Sequence, residues 1–298
     1  MTYQHFKDAL LAELAGCFPN GTDISILHVQ KNNSVTLDGL TIREDGCAVA
    51  PTIYLEEFYE RLTQGETFPA LLSEILSVYH RYRPQEAIDP SFFRDFSVIR
   101  SRIVYKLVHY DKNKLLLNEI PHVRLLDLAV VFCCLLETES PQFATILIRN
   151  EHLSLWQITP EDLMAAAKEN TPHLLPPELL PLSKLLESLC DHSPCAEESF
   201  SSPPTLPIYV LTNQKRFLGA ACLLYDHAIL SLADEVQSDF YVIPSSIHEI
   251  LLVPVRPNLS REDINAMICE VNKSEVAPEE ILSDHVYYYN RAKDCIEL

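Results

Sequence analysis

The chain has 298 residues, 47% hydrophobic and 22% charged, and its 42 acidic against 23 basic side chains give a formal charge of -19. That length buries a substantial core as one large domain or two ordinary ones. The charge repels phosphate backbones at long range, which argues against nucleic-acid binding over the whole surface.

The first residues, MTYQHFKDALLAELAG, are amphipathic with internal charges, unlike the apolar core of a secretory signal, and no later run is long enough to span a bilayer. The expected address is cytoplasmic, without membrane contact. The nine cysteines include Cys133, Cys134 and Cys222 in apolar strand-like runs, where a thiol acts as a small hydrophobe, so reduced thiols are expected.

In chain order, Thr2 caps a helix with Phe6, Ala9, Leu10 and Leu14 on its apolar face, stopped by Gly16 and Pro19. ISILHVQ, SVTLDGLTIRE and CAVAPTIYL read as a three-strand meander, with Asp38-Gly39 as a tight turn or bulge. From Glu56 the apolar period becomes helical, and Gly65 and Pro69 separate two helices. Phe92, Phe96, Ile99, Ile103 and Leu107 then form a stripe at three- and four-residue steps, which predicts a further helix.

VRLLDLAVVFCCLL and FATILIRNEHLSLW read as buried strands around a turn at Asn150. Trp156 would plug a strand-helix junction. Thr159-Pro160-Glu161-Asp162 starts a helix to about Asn170, with a Thr cap, Pro in the first turn and acids at the positive end of the dipole. Pro-rich sequence with a short helix at 182–189 leads to a linker at 191–204. Leu206 to Val255 reads as four strand-like runs and one helix. Ser260 with Asp263 caps the next helix, Pro278 opens a short one, and HVYYYNRA alternates as a last strand. The sum is an α+β protein with two mostly antiparallel sheet subdomains carrying helices, 1–190 and 205–298.

Chemistry is harder to place. Ser245, Ser246, His248 and Glu249 bring hydroxyls, an imidazole and a carboxylate together, a hydrolase-type set with Asn213 nearby. The segment lacks a strand-turn-helix nucleophile elbow, so a hydrogen-bonded turn is the plainer reading. Cys190, His192 and Cys195 lack the second ligand pair of a zinc site, and even His173 would complete one only by coincidence of folding, so no metal is expected. NQKRFLG, at 213–219, has one glycine where a phosphate loop needs several, and no cofactor motif is found. Between His80 and Lys114 eight basic residues face four acidic ones, and Arg94, Arg100, Arg102 and Lys106 are candidates for binding an acidic partner from a basic helix at 94–114.

Nine dispersed segments, among them LDGLTIRE, APTIYLEEFYE, RIVYKLVHYDKN, PHVRLLDLAVVF, PSSIHEILLVPV and VAPEEILSDHVYYY, resemble a bacterial domain-of-unknown-function family, of the 5688 type, over essentially the full length. The pattern Trp156, Leu163, Ala167 and Asn170 is similar to a second such family and adds architecture only. The resemblance implies a bacterial cytoplasmic protein and transfers no activity. Because each chemical motif fails on spacing or ligand count, the expected role is non-catalytic interaction or regulation through a protein partner. Alternatives are a hydrolase built on Ser245 to Glu249 and a nucleic-acid-associated role for the basic segment.

Overall fold

The computed structural model describes residues 1–44, 50–83, 90–136, 144–185, 207–244 and 246–297. They form an α+β structure with three antiparallel sheets among the described residues. The chain divides into two compact units, the first built on Met1–Val98 and the second on Ile99–Glu137 and Phe143–Leu298.

In the first unit the Thr2 hydroxyl accepts from the His5 amide and starts α1 (Tyr3–Cys17), which buries Phe6, Leu10 and Leu14. These side chains pack on the meander β1 (Asp23–Gln30), β2 (Thr36–Arg43) and β3 (Thr52–Tyr54). α2 (Glu56–Thr63) and α3 (Phe68–Tyr82) close the same core with Phe58, Leu71, Ile75 and Tyr79. Asp38-Gly39 is neither turn nor bulge, because both residues stay in register within β2, opposite His28 and Leu27. A Cβ on Gly39 would lie 2.5 Å from Thr52 Cγ2 and 2.9 Å from Val29 Cγ2, so glycine is there for close approach of neighbouring strands. Asp38, 5% exposed, is neutralised by Lys7 at 2.7 Å, and its amide donates to Glu56 at 2.6 Å.

In the second unit the expected basic helix does not form. Phe96–Ile99 and Arg100–Arg102 are single turns, and Ile103–His109 is strand β4. The apolar spacing fits a helix, but Ile103, Val104, Tyr105, Leu107 and Val108 are all buried, on both faces of a strand. Their β-branched and aromatic character suits that setting better than a helix surface. β4 pairs along β6 (Leu128–Leu136), every residue of which is buried. β5 (His122–Leu125) and β7 (Ala144–Leu147) occupy successive stretches of β6's other edge.

The sequence around Asn150 is also corrected: Asn150–Trp156 is helix α4, so Trp156 ends a helix instead of following a strand. The preceding strand stops at Leu147, and Leu153 and Trp156 bury one side of the helix. α5 (Pro160–Leu174) starts at Thr159 as expected and runs past Asn170. Its Thr171 hydroxyl accepts from the Tyr105 amide at 3.2 Å and donates to Ala167, tying α5 to β4.

The largest sheet runs β13-β12-β10-β11-β9-β8. Its members are β8 (Pro177–Pro181), β9 (Tyr209–Asn213), β10 (Phe240–Ile243), β11 (Ile250–Pro254), β12 (Tyr287–Asn290) and β13 (Cys295–Glu297). The expected linker at 191–204 lies outside the described residues, but β8 before it and β9 after it are paired. The two compact units adjoin in sequence at Val98/Ile99. Residues 182–185 are helical, and the rest of the expected 182–189 helix lies outside the described residues.

GAACLLY, read as a strand, is the 3-10 helix Gly219–Leu224, with Gly219 to Leu223 buried. Small residues let that tight helix lie close to the sheet, where Cys222 Sγ donates to the Thr212 carbonyl at 3.0 Å. α6 (Leu230–Val236) follows, and α7 (Arg261–Ser274) is capped by Ser260 as expected. α7 sets Ile264 and Ile268 on Tyr241, Ile243 and Val253 of the sheet. Pro278 opens a turn, not a helix. Burial raises the Cys133 and Cys134 thiols to about 11, consistent with their packing as small hydrophobes.

Candidate functional site

The segment from Ser246 to Glu249 sits at the junction of β9, β11 and the 3-10 helix. The buried Ser246 hydroxyl accepts the His248 amide at 3.0 Å, and the Ser246 backbone bridges Ile281. His248 Nδ1 accepts the Leu218 amide at 3.3 Å, so the neutral ring carries its proton on Nε2, which lies 3.5 Å from a Glu280 carboxylate oxygen. The imidazole therefore faces a backbone amide and a carboxylate, while Ser246 is used within its own turn. Ser245 lies outside the described residues. Burial pushes the Glu249 carboxyl up despite a hydrogen bond from Ser246. Asn213 closes the adjoining loop, accepting from the Lys215 amide and donating to the Phe217 carbonyl.

The four basic candidates are not presented on one helix. Arg94 belongs to the first unit, in the 3-10 turn Pro90–Arg94. Arg100 meets Glu169 at 3.1 Å, and Arg102 and Lys106 are half-buried, Lys106 within β4. Among the described residues no group of three or more His, Cys, Asp or Glu is placed to hold a metal, and Cys190, His192 and Cys195 lie outside them.

A different set of residues forms a cleft of about 550 Å³ at the C-terminal end of α7, within the size range of small-ligand sites. Asn272, Lys273 and Ser274 bring the helix end to it, Lys112 and Asp284 supply charges, and Ile281 is part of its apolar lining. Lys112 Nζ lies 3.2 Å from Asp284 Oδ2, and Asn272 Nδ2 donates to Asp284 Oδ1 at 2.9 Å and to the Ser283 carbonyl at 3.0 Å. Those contacts hold the Asp284 carboxyl below its ordinary range against the opposing effect of burial. They also fix the Asn272 amide, since turning it over would set its oxygen against two acceptors. Asn272 is only 2% exposed, yet its Oδ1 is buried without a hydrogen-bond partner.

Behind this cleft Asp127, in the turn from β5 to β6, gathers three donors from the segment entering β12. Ser283 Oγ donates to Oδ2 at 2.7 Å, His285 Nδ1 lies 3.2 Å from the same oxygen, and the Tyr287 hydroxyl donates to Oδ1. Burial and this carboxylate raise the Tyr287 hydroxyl far above its ordinary value, so it stays a donor. A parallel grouping, in which Tyr289 donates to Asp294 and His227 lies 2.9 Å from it, lines a smaller cleft of about 310 Å³.

His109 at the end of β4 links this region to pH. It is 7% exposed, and its Nδ1 accepts the Lys112 amide at 3.2 Å, a bond that the protonated ring cannot accept. Burial is the main cause lowering its pKa and Lys112 adds to it, against the opposing charges of Asp127, Asp111 and Asp284. A lowered value means that the folded state resists a proton the unfolded chain takes up near pH 6.5. The resulting stability is present above that pH and lost as pH falls through the folded value. The urea midpoint should accordingly drop more between pH 7.5 and 5.5 for wild type than for His109→Gln; equal drops would show that His109 does not contribute.

The profile of a family of unknown function (DUF5688) matches residues 3–291. The chain belongs to that family. No curated protein and no solved structure matches it. The DUF5688 match spans both compact units and every residue of the cleft.

Asn272, Asp284 and Asp127 carry no motif, and Lys112 is one of the eight basic residues between His80 and Lys114 without being a candidate of its own. The nearest signal was the capped helix at Ser260, whose last turn delivers Asn272. An Asn in that turn is ordinary until its amide is found buried with one side unused.

Proposed function

We propose that this DUF5688 protein is a non-catalytic binding protein of the bacterial cytoplasm with a regulatory role, which takes a small polar ligand into the cleft at the end of α7. The observation that carries this reading is the cleft itself, about 550 Å³, in which the Lys112–Asp284 ion pair stands beside the apolar Val276 and Ile281. The hydrolase alternative has less support, because the Ser246 hydroxyl accepts a backbone amide and the His248 ring faces Leu218 and Glu280. Nor does a basic helix face support nucleic-acid association, since residues 103–109 are a buried strand.

The test is a thermal-shift screen of the full chain against small polar metabolites of every charge class, with each hit incubated at equal concentration with protein and recovered for mass spectrometry. Hits should raise the melting temperature and return unchanged. Conversion of a hit into product would overturn the non-catalytic reading.

A further inference from the structure

We infer that the outer edge of β1 pairs with β1 of a second copy of this chain. The inference is independent of the ligand reading, since β1 belongs to the first unit and the cleft to the second. β1 spans eight residues at one side of the first unit's sheet, and among the described residues its backbone pairs with β2 alone. Its register with β2 is continuous, so no bulge turns the free edge away, and none of its residues is buried. The other edges are short or covered. β3 and β13 have three residues each, β5 and β7 have four, and β8 carries Pro177 and Pro181. β4 lies under α5, whose Thr171 hydroxyl takes the Tyr105 amide and whose Asn170 side chain donates to the Ile103 carbonyl.

A second copy fits this edge because the strand is self-complementary. Residues opposite each other in an antiparallel pair share a face, so a two-fold axis between two β1 strands passes through the same residue of each. From Asp23 to Lys31 the sequence is DISILHVQK, with its one acid and its one Lys each four positions from Leu27. An axis at Leu27 therefore sets Asp23 opposite Lys31 of the second copy at both ends, places Ser25 opposite Val29 and joins the two Leu27 side chains, which are 55% exposed. An axis at any other position from 24 to 30 sets both charges against uncharged residues.

The placement of these side chains agrees with that register. Ile24 and Ile26 turn to the core, so Asp23, Ser25, Leu27 and Val29 lie on the opposite face. Lys31 keeps an extended backbone, and its Nζ lies 4.1 Å from the ring centroid of Tyr54, which stands across Gly39 from Leu27 on that same face. Asp23 meets Arg43 only at 3.7 Å and its side chain is 59% exposed, so its carboxylate is open to a further partner. The chain's charge of -19 falls outside this seam, whose residues 23–31 carry one acid and one base.

Sedimentation velocity of the full chain over a concentration series tests the inference. A dimer is expected, and Asp23→Lys or Lys31→Glu should each weaken it about tenfold or more, because each dimer holds the pair twice and either change sets like charges opposite each other. The double variant Asp23→Lys with Lys31→Glu restores opposite charges across the axis and should recover the wild-type dimer. Should a charge variant fold poorly, Leu27→Cys gives a second reading. Diamide should join two copies through that position, because opposite residues of an antiparallel pair have Cα atoms about 4.5–5.5 Å apart, within disulfide reach. Gln30→Cys, three positions from the axis, should add no crosslink beyond that of wild type. A chain that stays monomeric throughout would overturn the inference and leave the edge to an extended segment of another protein. A dimer that both single variants leave unchanged, that the double variant fails to restore, or that Leu27→Cys fails to crosslink would also overturn it, placing self-association on another surface.

Discussion

Replacing Gly219 by Ala is expected to destabilise the second unit by about 3 kcal/mol, near the upper end of ordinary overpacking costs. A Cβ there would lie 2.2 Å from Thr212 Oγ1, 2.3 Å from the His248 carbonyl oxygen and 3.0 Å from the Asn213 amide nitrogen. Two of these three atoms are backbone, so a side-chain rotation cannot relieve the overlap. Thr212 Oγ1 also donates to that same His248 carbonyl at 2.8 Å, and the added methyl group would wedge this bond open. Gly39→Ala would overlap the methyl groups of Thr52 and Val29 and only touch the Leu27 carbonyl oxygen at 3.7 Å, and should cost less, about 1 kcal/mol. Gly16→Ala meets nothing within 4 Å inside a helix and should not destabilise. Urea unfolding of the three variants checks the order, and a Gly219→Ala midpoint equal to that of Gly39→Ala would refute the backbone-clash account.

Asp127→Ala should have an effect of similar size, about 3 kcal/mol, from the donors it strands. Tyr287 and Ser283 are both 0% exposed, and each donates its hydroxyl to this carboxylate. Without it neither hydroxyl has water to turn to. Asp127→Asn keeps the shape and one oxygen acceptor, and should lose about 1 kcal/mol. The separation between the two variants is the informative quantity. If Ala and Asn cost the same, charge and not hydrogen-bond satisfaction is what Asp127 contributes. Because Ser283 and Asp284 are adjacent, Asp127→Ala should also weaken whatever binds beside Asn272, even though Asp127 does not line that cleft.

The arrangement around His248 shows how a plausible chemical cluster is spent on architecture. Ser246, His248 and Thr212 each satisfy a backbone group at the point where β9, β11 and the 3-10 helix meet. Buried backbone donors and acceptors need partners, and short polar side chains at a strand junction supply them. The cleft at Asn272 differs in one respect that can be measured: its amide oxygen has no such employment.

What the sequence determined by itself was local. Thr2, Thr159 and Ser260 each start the helix expected of them, because an N-cap depends only on the next three residues. The meander of the first unit and the apolar run of β6 were legible for the same reason, from alternation and from continuous burial. Tertiary structure decided the rest. The stripe from Phe92 to Leu107 satisfies a helical period, and only pairing along β6 and packing under α5 make Ile103–His109 a strand buried on both faces. The pairing of β8 with β9 joins segments on either side of an apparent linker, which local composition cannot reveal. The cleft is the strongest case, since Lys112 and Asp284 are separated by 172 positions and meet only after the strands are ordered. A buried acceptor left without a donor is a property of that assembled surface, which no pattern along the chain encodes.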